Sequence, residues 1–300
     1  MNLIELMQQF PDQKSCVEYL EKKRWGDKIR CVYCNSENTH KQPNDLRHHC
    51  NGCRKSFNVT VGTIFHDTKL PLQKWFIVMS LMMNAKKGLS ACQVSRDIGL
   101  RRPTVWLMMH KIRKAMNTEQ MELLSGIVEM DETYVGGKPR KEAKKKSDND
   151  DDVTPPNKRG RGTKKECVVG MVERDGKVKA QHVNKDEIKG IDLTELVRKN
   201  VDIENAVLMT DEYKAYNSMK RFIKHLQVNH SKEYARDDKV FGRVHTNTIE
   251  GFWALLKRGI VGQFHKVSKK YLHQYIDEFC FRYNERKNDD IFNALLMRCI

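Results

Sequence analysis

No stretch of about 18 or more consecutive apolar residues occurs in the 300-residue chain, which excludes a conventional transmembrane helix. The first residues, Met1-Asn-Leu-Ile-Glu-Leu-Met7, lack the basic segment and small-residue cleavage site of a secretory leader. Acid is in short supply: 39 Asp and Glu stand against 55 Lys and Arg, a net charge of +16. That excess implies a polyanionic partner. Nucleic acid is the usual one, with an anionic membrane surface as competitor. A disulfide framework is not expected either. Of nine cysteines, four fall in two close pairs, and Cys16, Cys92, Cys167, Cys280 and Cys299 are scattered singly. An odd, dispersed remainder suits free thiols in a reducing cytoplasm. The length permits two or more domains, and 39% hydrophobic residues suffice for their cores.

The paired cysteines give the sharpest local signal. Cys31-Val-Tyr-Cys34 and Cys50-Asn-Gly-Cys53 are two Cys-x-x-Cys units separated by a short polar stretch. Four thiolates in two close pairs suit tetrahedral Zn²⁺, and so small a ribbon draws its folding free energy from the metal. His40, His48 and His49 lie between the pairs and, with four thiols present, are expected at the surface. Arg47, Arg54 and Lys55 make the ribbon a candidate DNA contact. Before it, two short amphipathic helices are expected, one with Leu3, Leu6, Met7 and Phe10 as its apolar stripe, the other with Cys16, Val17, Tyr19 and Leu20.

Beyond the ribbon the period is helical. Leu72 to Asn84 carries Trp75, Phe76, Met79, Met82 and Met83 as core. Ser90 can cap a short helix that Gly99 ends, and Pro103 opens a third, Thr104 to Met116. Three helices with a Gly-containing turn before the last read as helix-turn-helix. The third would present Arg101, Arg102, Thr104 and Lys111 to the major groove. The competing reading is a helical bundle with no DNA role.

From Gly126 the pattern turns to strands. Two apolar runs end abruptly in acid, Gly126-Ile-Val-Glu-Met-Asp131 and Asn205-Ala-Val-Leu-Met-Thr-Asp211. They read as buried strands with a carboxylate at the tip, where an unpaired acid would be costly. Glu132 and Glu212 follow each Asp and, by alternation, face away. Residues 138–165 form a basic, low-complexity loop. Strands at Glu166–Glu173 and Lys177–Val183, joined by a turn at Asp175-Gly176, lead to a helix at Ile191–Asn200 and the strand ending at Asp211. Leu226-Gln-Val-Asn-His230 is a further strand candidate, and Tyr271–Arg286 a helix. Between them, His245-Thr-Asn-Thr-Ile-Glu-Gly-Phe-Trp253 opens a helix with Glu250 in its first turn. Lys257 lies on the same face, about 10 Å along the axis. Two readings of Glu250 stay open: a near capping box with Asn247, or a carboxylate converging with Asp131 and Asp211 on divalent metal.

Taken together, these motifs resemble bacterial insertion-sequence transposases with an N-terminal zinc ribbon and a ribonuclease-H-like DDE catalytic domain. The likeness rests on the cysteine pairs, Gly62-Thr-Ile-Phe-His66, Met130-Asp-Glu-Thr-Tyr-Val-Gly-Gly137, Thr210-Asp-Glu-Tyr213, Val228-Asn-His230, the 245–253 segment and Gly262-Gln-Phe-His265. The resemblance implies a multi-domain α+β chain. Residues 1–60 would be the N-terminal helices and zinc ribbon, 61–122 a helix-turn-helix bundle, and 123–300 a mixed α/β catalytic domain. It implies Asp131, Asp211 and Glu250 as catalytic ligands of two Mg²⁺ or Mn²⁺ ions. Asn247 is the lesser candidate for third ligand, because an amide binds Mg²⁺ less well. Lys257 matches a basic residue seven positions after the glutamate, and His230 and His245 would line the site. Tyr134 and Trp253 could stack on a splayed base, with core packing the simpler role for Trp253. One structural Zn²⁺ would sit on Cys31, Cys34, Cys50 and Cys53. The implied reaction is water attack at a transposon end, then attack of the freed 3′-hydroxyl on target DNA. The implied partners are double-stranded DNA and further copies of the chain in a synaptic complex, associated with the nucleoid in the cytoplasm. A non-catalytic DNA-binding regulator and a ribonuclease-H-like nuclease without strand transfer are the alternatives.

Overall fold

The computed structural model describes residues 1–43, 45–117, 121–136, 165–184, 190–229 and 233–300. The expected basic loop falls outside this set except for Lys165. The chain forms two compact units, Met1–Asn117 with Glu285–Ile300, and Thr118–Asn284. The last residues thus differ from the expectation of one domain running from 123 to 300. Among the described residues no helix is long and apolar enough to cross a membrane.

The first unit begins with two capped helices. In α1 (Leu3–Gln9), Asn2 and Glu5 close a capping box; in α2 (Gln13–Trp25), Asp12 and Ser15 do so. Met7, expected on the buried stripe of α1, is 56% exposed, while Leu6 and Phe10 are buried. Three short strands, β1 (Thr39–Lys41), β2 (His48–Cys50) and β3 (Ser56–Phe57), pair antiparallel in that order. The helices α3 (Leu72–Asn84), α4 (Ala91–Ile98) and α5 (Arg102–Ala115) follow. Ser90 caps α4, and Gly99 ends it in the left-handed region at φ 63°, where a side chain would be strained. Two residues later α5 begins, with Pro103 in its first turn.

Ten strands and nine helices are numbered along the described residues. The second unit holds β4 (Leu124–Val135), β5 (Glu166–Glu173), β6 (Val178–Val183), α6 (Gly190–Asn200), β7 (Val201–Thr210), β8 (Lys224–Gln227), β9 (Arg236–Asp238), β10 (Gly242–Val244), α7 (Asn247–Arg258) and α8 (Leu272–Asn284); α9 (Ile291–Cys299) closes the chain within the first unit. There Phe292 packs edge-on against Phe76 of α3, ring centroids 5.6 Å apart, and Phe76 meets Phe10 at 4.9 Å. The five-stranded sheet has the order β6-β5-β4-β7-β8. β4 pairs antiparallel with β5 and β5 with β6, whereas β7 is parallel to β4 and β8 to β7. The sheet is therefore mixed, and its central strand is the one that carries Asp131.

Alternation along β4 sorts its side chains onto two faces. Leu124, Val128 and Met130 join Cys167, Val169 and Met171 of β5 under Leu193 and Val197 of α6. The opposite face carries Val135, Val168 and Val172 against Ile249, Phe252 and Trp253 of α7 and Ile276 and Phe279 of α8. Buried on both sides, β5 reads as one continuous apolar run, Cys167 to Val172. Gly170 interrupts that run for a steric reason. It pairs with Asp131, and a Cβ there would come within 2.5 Å of the Trp253 ring. The missing side chain lets α7 lie down on the sheet beside Asp131.

Candidate active site

The two aspartates meet through strand register. β4 and β7 are parallel, with Ile127 opposite Val207 and Glu129 opposite Met209. Two residues further along, the same register sets Asp211 beside Asp131, on the face that also carries Glu129. Asp131 is not at a strand tip as expected. β4 continues to Val135, because Glu132 to Val135 keep pairing with β5. The apolar run stops at Asp131 but the strand does not: Thr133 and Val135, further along the same face, are buried. Asp211 does stand at the end of β7, where its Oδ1 accepts the Tyr213 amide at 3.0 Å.

These carboxylates repel one another in a confined space. Burial, then the charges of Glu132 and Asp211, push the Asp131 carboxyl up to about 7. The Trp253 indole donates to Asp131 Oδ2 at 3.1 Å and fixes its direction. Glu132 turns to the opposite face, where the buried Tyr216 hydroxyl donates to it at 2.6 Å. Burial first, then Glu132, Asp131 and Asp211, raise the Tyr216 phenol well above its ordinary range, so it stays a donor. Tyr134 packs with that same opposite cluster rather than with Asp131.

Glu250 arrives on α7. Thr246 is the N-cap residue and Asn247 the first helical one, so the expected Asn247 capping box is not formed. Instead the cap comes from another element. Glu129 of β4, fully buried, accepts the Thr248 amide at 2.8 Å, the Ile249 amide at 3.1 Å and the Thr248 hydroxyl at 2.9 Å. A carboxylate on the free amides of a helix N-terminus satisfies both the donors and the dipole. Arg174, in the turn after β5, donates to Glu129 at 2.7 Å and to the carbonyls of Arg243 and His245 at 2.7 and 3.1 Å. It thereby anchors the segment that leads into α7. Glu250 itself is exposed, one turn before Trp253 on the same side, and accepts the Thr246 hydroxyl at 3.1 Å.

The remaining expected site residues scatter in role. His245 Nδ1 accepts the Asn247 amide at 3.2 Å and lies 3.2 Å from Glu129 Oε1, so while it accepts from Asn247 it has no proton to give Glu129. Burial, then Arg174, lower its pKa, which favours the neutral ring. Asn247 and Lys257 are exposed. His230 lies outside the described residues. Asp131, Asp211 and Glu250 are not gathered with all their ligand oxygens within 4.8 Å; among the described residues only the four cysteines form such a group. Glu129, Arg174 and the Trp253–Asp131 bond are additions to the sequence reading. Glu129 had a usable signal: it sits two residues before Asp131 in an apolar run, hence on the same face. Arg174 had none in its local sequence.

In the first unit, Cys31 Sγ lies 3.6 Å from Cys53 Sγ and Cys34 Sγ 3.6 Å from Cys50 Sγ, a cluster that could hold a metal ion. Each Cys-x-x-Cys turn closes by an amide returning to the first cysteine carbonyl, Asn35 to Cys31 at 2.9 Å and Arg54 to Cys50 at 2.8 Å. Asn35 and Arg54 take positive φ, 57° and 58°, to make those closures. The amide of Cys53 leads the interactions that pull the Cys50 thiol down to about 7, toward the thiolate that metals bind. The expected surface role of the histidines holds for His40 alone. His48 is buried between Trp25 and Phe57 and bonds Glu21 at 2.7 Å, and His49 bonds Ser56. On α5, Arg101 and Arg102 are exposed and Thr104 half-buried. Lys111 turns inward instead, its ammonium 3.4 Å from the Ile64 carbonyl and 6.0 Å from the Trp75 ring. Its long stem lets it reach back along the helix.

Residues 123–284 match the family described as the ISXO2-like transposase domain. An uncharacterized protein in transposable element ISH50 of Halobacterium salinarum is 25% identical over 281 residues, covering 91% of each chain. No solved structure matches the chain.

The acid pair gives this protein a distinctive pH response. Asp131 titrates near 7 in the folded chain and near 3.9 when unfolded, so the folded state binds the extra proton between those values. Its contribution to stability is therefore present at low pH and lost as pH rises through 7. Without added divalent cations, Asp131→Asn should melt at least about 2 °C above wild type near pH 8, and the gap should narrow as pH falls and close only below about pH 4. Equal melting curves for the two proteins at pH 8 would show that burial and the neighbouring charges do not raise the Asp131 pKa.

Proposed function

Because the chain belongs to the family of ISXO2-like transposase domains, we propose that it is a DNA transposase that cuts at transposon ends and joins the freed end to target DNA. The observation that carries this reading is the placement of Asp131 on β4 and of Asp211 just past the end of the neighbouring parallel strand β7, close enough for its charge to act on Asp131, with Trp253 of the Glu250-bearing helix bonded to Asp131. The sheet around them agrees with a ribonuclease-H-like domain, in which the three acids are the catalytic set.

The donors fit a hard divalent cation. They are carboxylate oxygens, and the proton that Asp131 holds near 7 is the one a cation would displace. Mg²⁺ or Mn²⁺, two ions in this reading, would neutralise the scissile phosphate and lower the pKa of a water nucleophile. Asp131 and Asp211 supply the fixed ligands, and Glu250 completes the set from the helix. Trp253 keeps Asp131 turned toward the site by donating to its outer oxygen. Lys257, exposed two turns along α7 on the same face as Glu250, can pair with a DNA phosphate. Hydrolysis leaves a 3′-hydroxyl on the transposon strand. That hydroxyl then displaces a target 3′-oxygen, so the number of phosphodiester bonds is conserved in the second step. Acting on two ends at once calls for more than one copy of the chain, and the setting is the nucleoid.

The first unit supplies DNA grip in this reading. One Zn²⁺ on Cys31, Cys34, Cys50 and Cys53 holds the ribbon, and α4 with α5 forms a helix-turn-helix that offers Arg101, Arg102 and Thr104 to the duplex. Inward-turned Lys111 takes no part.

Three experiments test these assignments. In an end-cleavage assay with Mg²⁺, Asp131→Ala, Asp211→Ala and Glu250→Ala should each lose on the order of 100-fold or more, beyond the usual cost of outer-shell changes. Asn247→Ala should keep activity within about threefold, and full activity in Glu250→Ala with loss in Asn247→Ala would transfer the third position to Asn247. For DNA grip, Arg101→Ala with Arg102→Ala should flatten the plot of log affinity against log salt by about 2, while Lys111→Ala leaves the slope unchanged. The opposite ranking would move the contact surface off the start of α5. For the ribbon, elemental analysis should find one zinc per chain, and Cys50→Ser should bring it near zero. Retention of zinc in that variant would remove Cys50 from the ligand set.

A further inference from the structure

Glu129 occupies a place that the three-acid reading does not explain. It is a carboxylate with no exposed surface, yet it lies two residues before Asp131 on the same face of β4. Its contacts are with the helix that carries Glu250, with the segment feeding that helix, and with Arg174, which is itself bonded to that segment. Its Oε2 takes the Thr248 and Ile249 amides, and its Oε1 takes the Thr248 hydroxyl and the Arg174 guanidinium and lies beside the His245 ring. Both oxygens are thus used, and the two helix amides, the Thr248 hydroxyl and Arg174 are all donors to them. Thr246 makes no side-chain cap to α7, and His245 Nδ1 accepts only the Asn247 amide.

The consequence is geometric. Thr248 and Ile249 are the residues immediately before Glu250, so the amides that Glu129 binds fix the height and rotation of the first turn. The strand that holds Asp131 therefore also sets where Glu250 stands relative to it. Arg174 adds a second point of attachment, since it bonds Glu129 and the carbonyls of Arg243 and His245. Resting on the transposase reading above, we propose that Glu129 is a positioning residue: it touches neither DNA nor metal, and it holds Glu250 in place to complete the cation site built on Asp131.

Glu129→Gln is the direct probe. A glutamine must turn its NH₂ toward either the two helix amides or Arg174, so one set of donors faces a donor whichever way it lies. The test is a double-mutant cycle read by Mn²⁺ affinity, by calorimetry and electron paramagnetic resonance, on full-length protein. The Asp131→Ala variant defines the site of interest. Wild type should bind Mn²⁺ at an Asp131-dependent site, and Glu129→Gln should weaken that binding about tenfold. In a Glu250→Ala background the same change should cost less than about twofold, because the group it positions is gone. A purely structural Glu129 would instead cost the same in both backgrounds. Should Glu129→Gln fail to fold by circular dichroism, Thr248→Val, which removes one hydroxyl bond alone, should cost about threefold and lose that cost in Glu250→Ala. Additive losses, or wild-type affinity in these variants, would overturn the positioning role while leaving the transposase reading intact. Absence of any Asp131-dependent Mn²⁺ site in wild type would overturn both.

Discussion

A single buried carboxylate organises the candidate-site face of the second unit. An ionised group withdrawn from water costs several kcal/mol unless its lone pairs are filled. Glu129 is filled by donors from the turn after β5 and from α7, and Arg174 in that turn also holds the segment before α7. The cost of burying the charge thus becomes a reason for those parts to assemble. Removing the carboxylate would leave the Thr248 and Ile249 amides without their acceptor and Arg174 with only the Arg243 and His245 carbonyls. The arrangement is specific because the partners are directional. An apolar contact would hold α7 on the sheet, but it would not fix how far the helix slides along it.

Around that anchor the electrostatics run in opposite senses. The chain as a whole carries +16, which draws in a polyanion from a distance. The site itself collects acid: Glu132 and Asp211 lie close enough to add to burial in raising the affinity of Asp131 for a proton. An anionic phosphate could not approach such a cluster unaided. A divalent cation, as proposed above, would reconcile the two facts, turning the local sign without changing the global one.

The sequence carried the regular elements well where packing and pattern agree. The helix from Leu72 to Asn84 and the strand from Glu166 to Glu173 were legible to the residue, one through apolar residues at helical spacing and one through an unbroken apolar run. Three misreadings share a cause, which is that partners distant in sequence decide the outcome. Asp131 looked like a strand tip because an apolar run ends there in acid, and the pairing with β5 keeps the strand going. Lys111 was a groove candidate because it lies on the helix with the basic N-terminal end, and the Ile64 carbonyl draws it inward. His48 was expected at the surface because four thiols already suffice for a metal, and Glu21 makes its burial between Trp25 and Phe57 tolerable. The short strands β9 and β10, three residues each, leave no period to read. In the candidate site, the acids were visible as chemistry, but their supports were not. Arg174 is an ordinary surface arginine until the fold brings Arg243, His245 and Glu129 to it.

The division of labour among the acids follows from their scaffolds. A side chain on a strand inherits its position from ladder hydrogen bonds on both sides, so Asp131, on the central strand, can shift little without breaking the sheet. A side chain on a surface helix inherits its position from how that helix is docked, which is a softer constraint. A cation site built from two strand residues and one helix residue is therefore rigid on one wall and adjustable on the other. A two-step reaction benefits from that asymmetry, because the entering and leaving oxygens exchange roles between cleavage and joining. What the asymmetry demands is a device that limits the adjustment. The capping of α7 by a strand residue, rather than by its own Asn247 or Thr246, meets the demand: the mobile wall is tied to the fixed one two residues from Asp131.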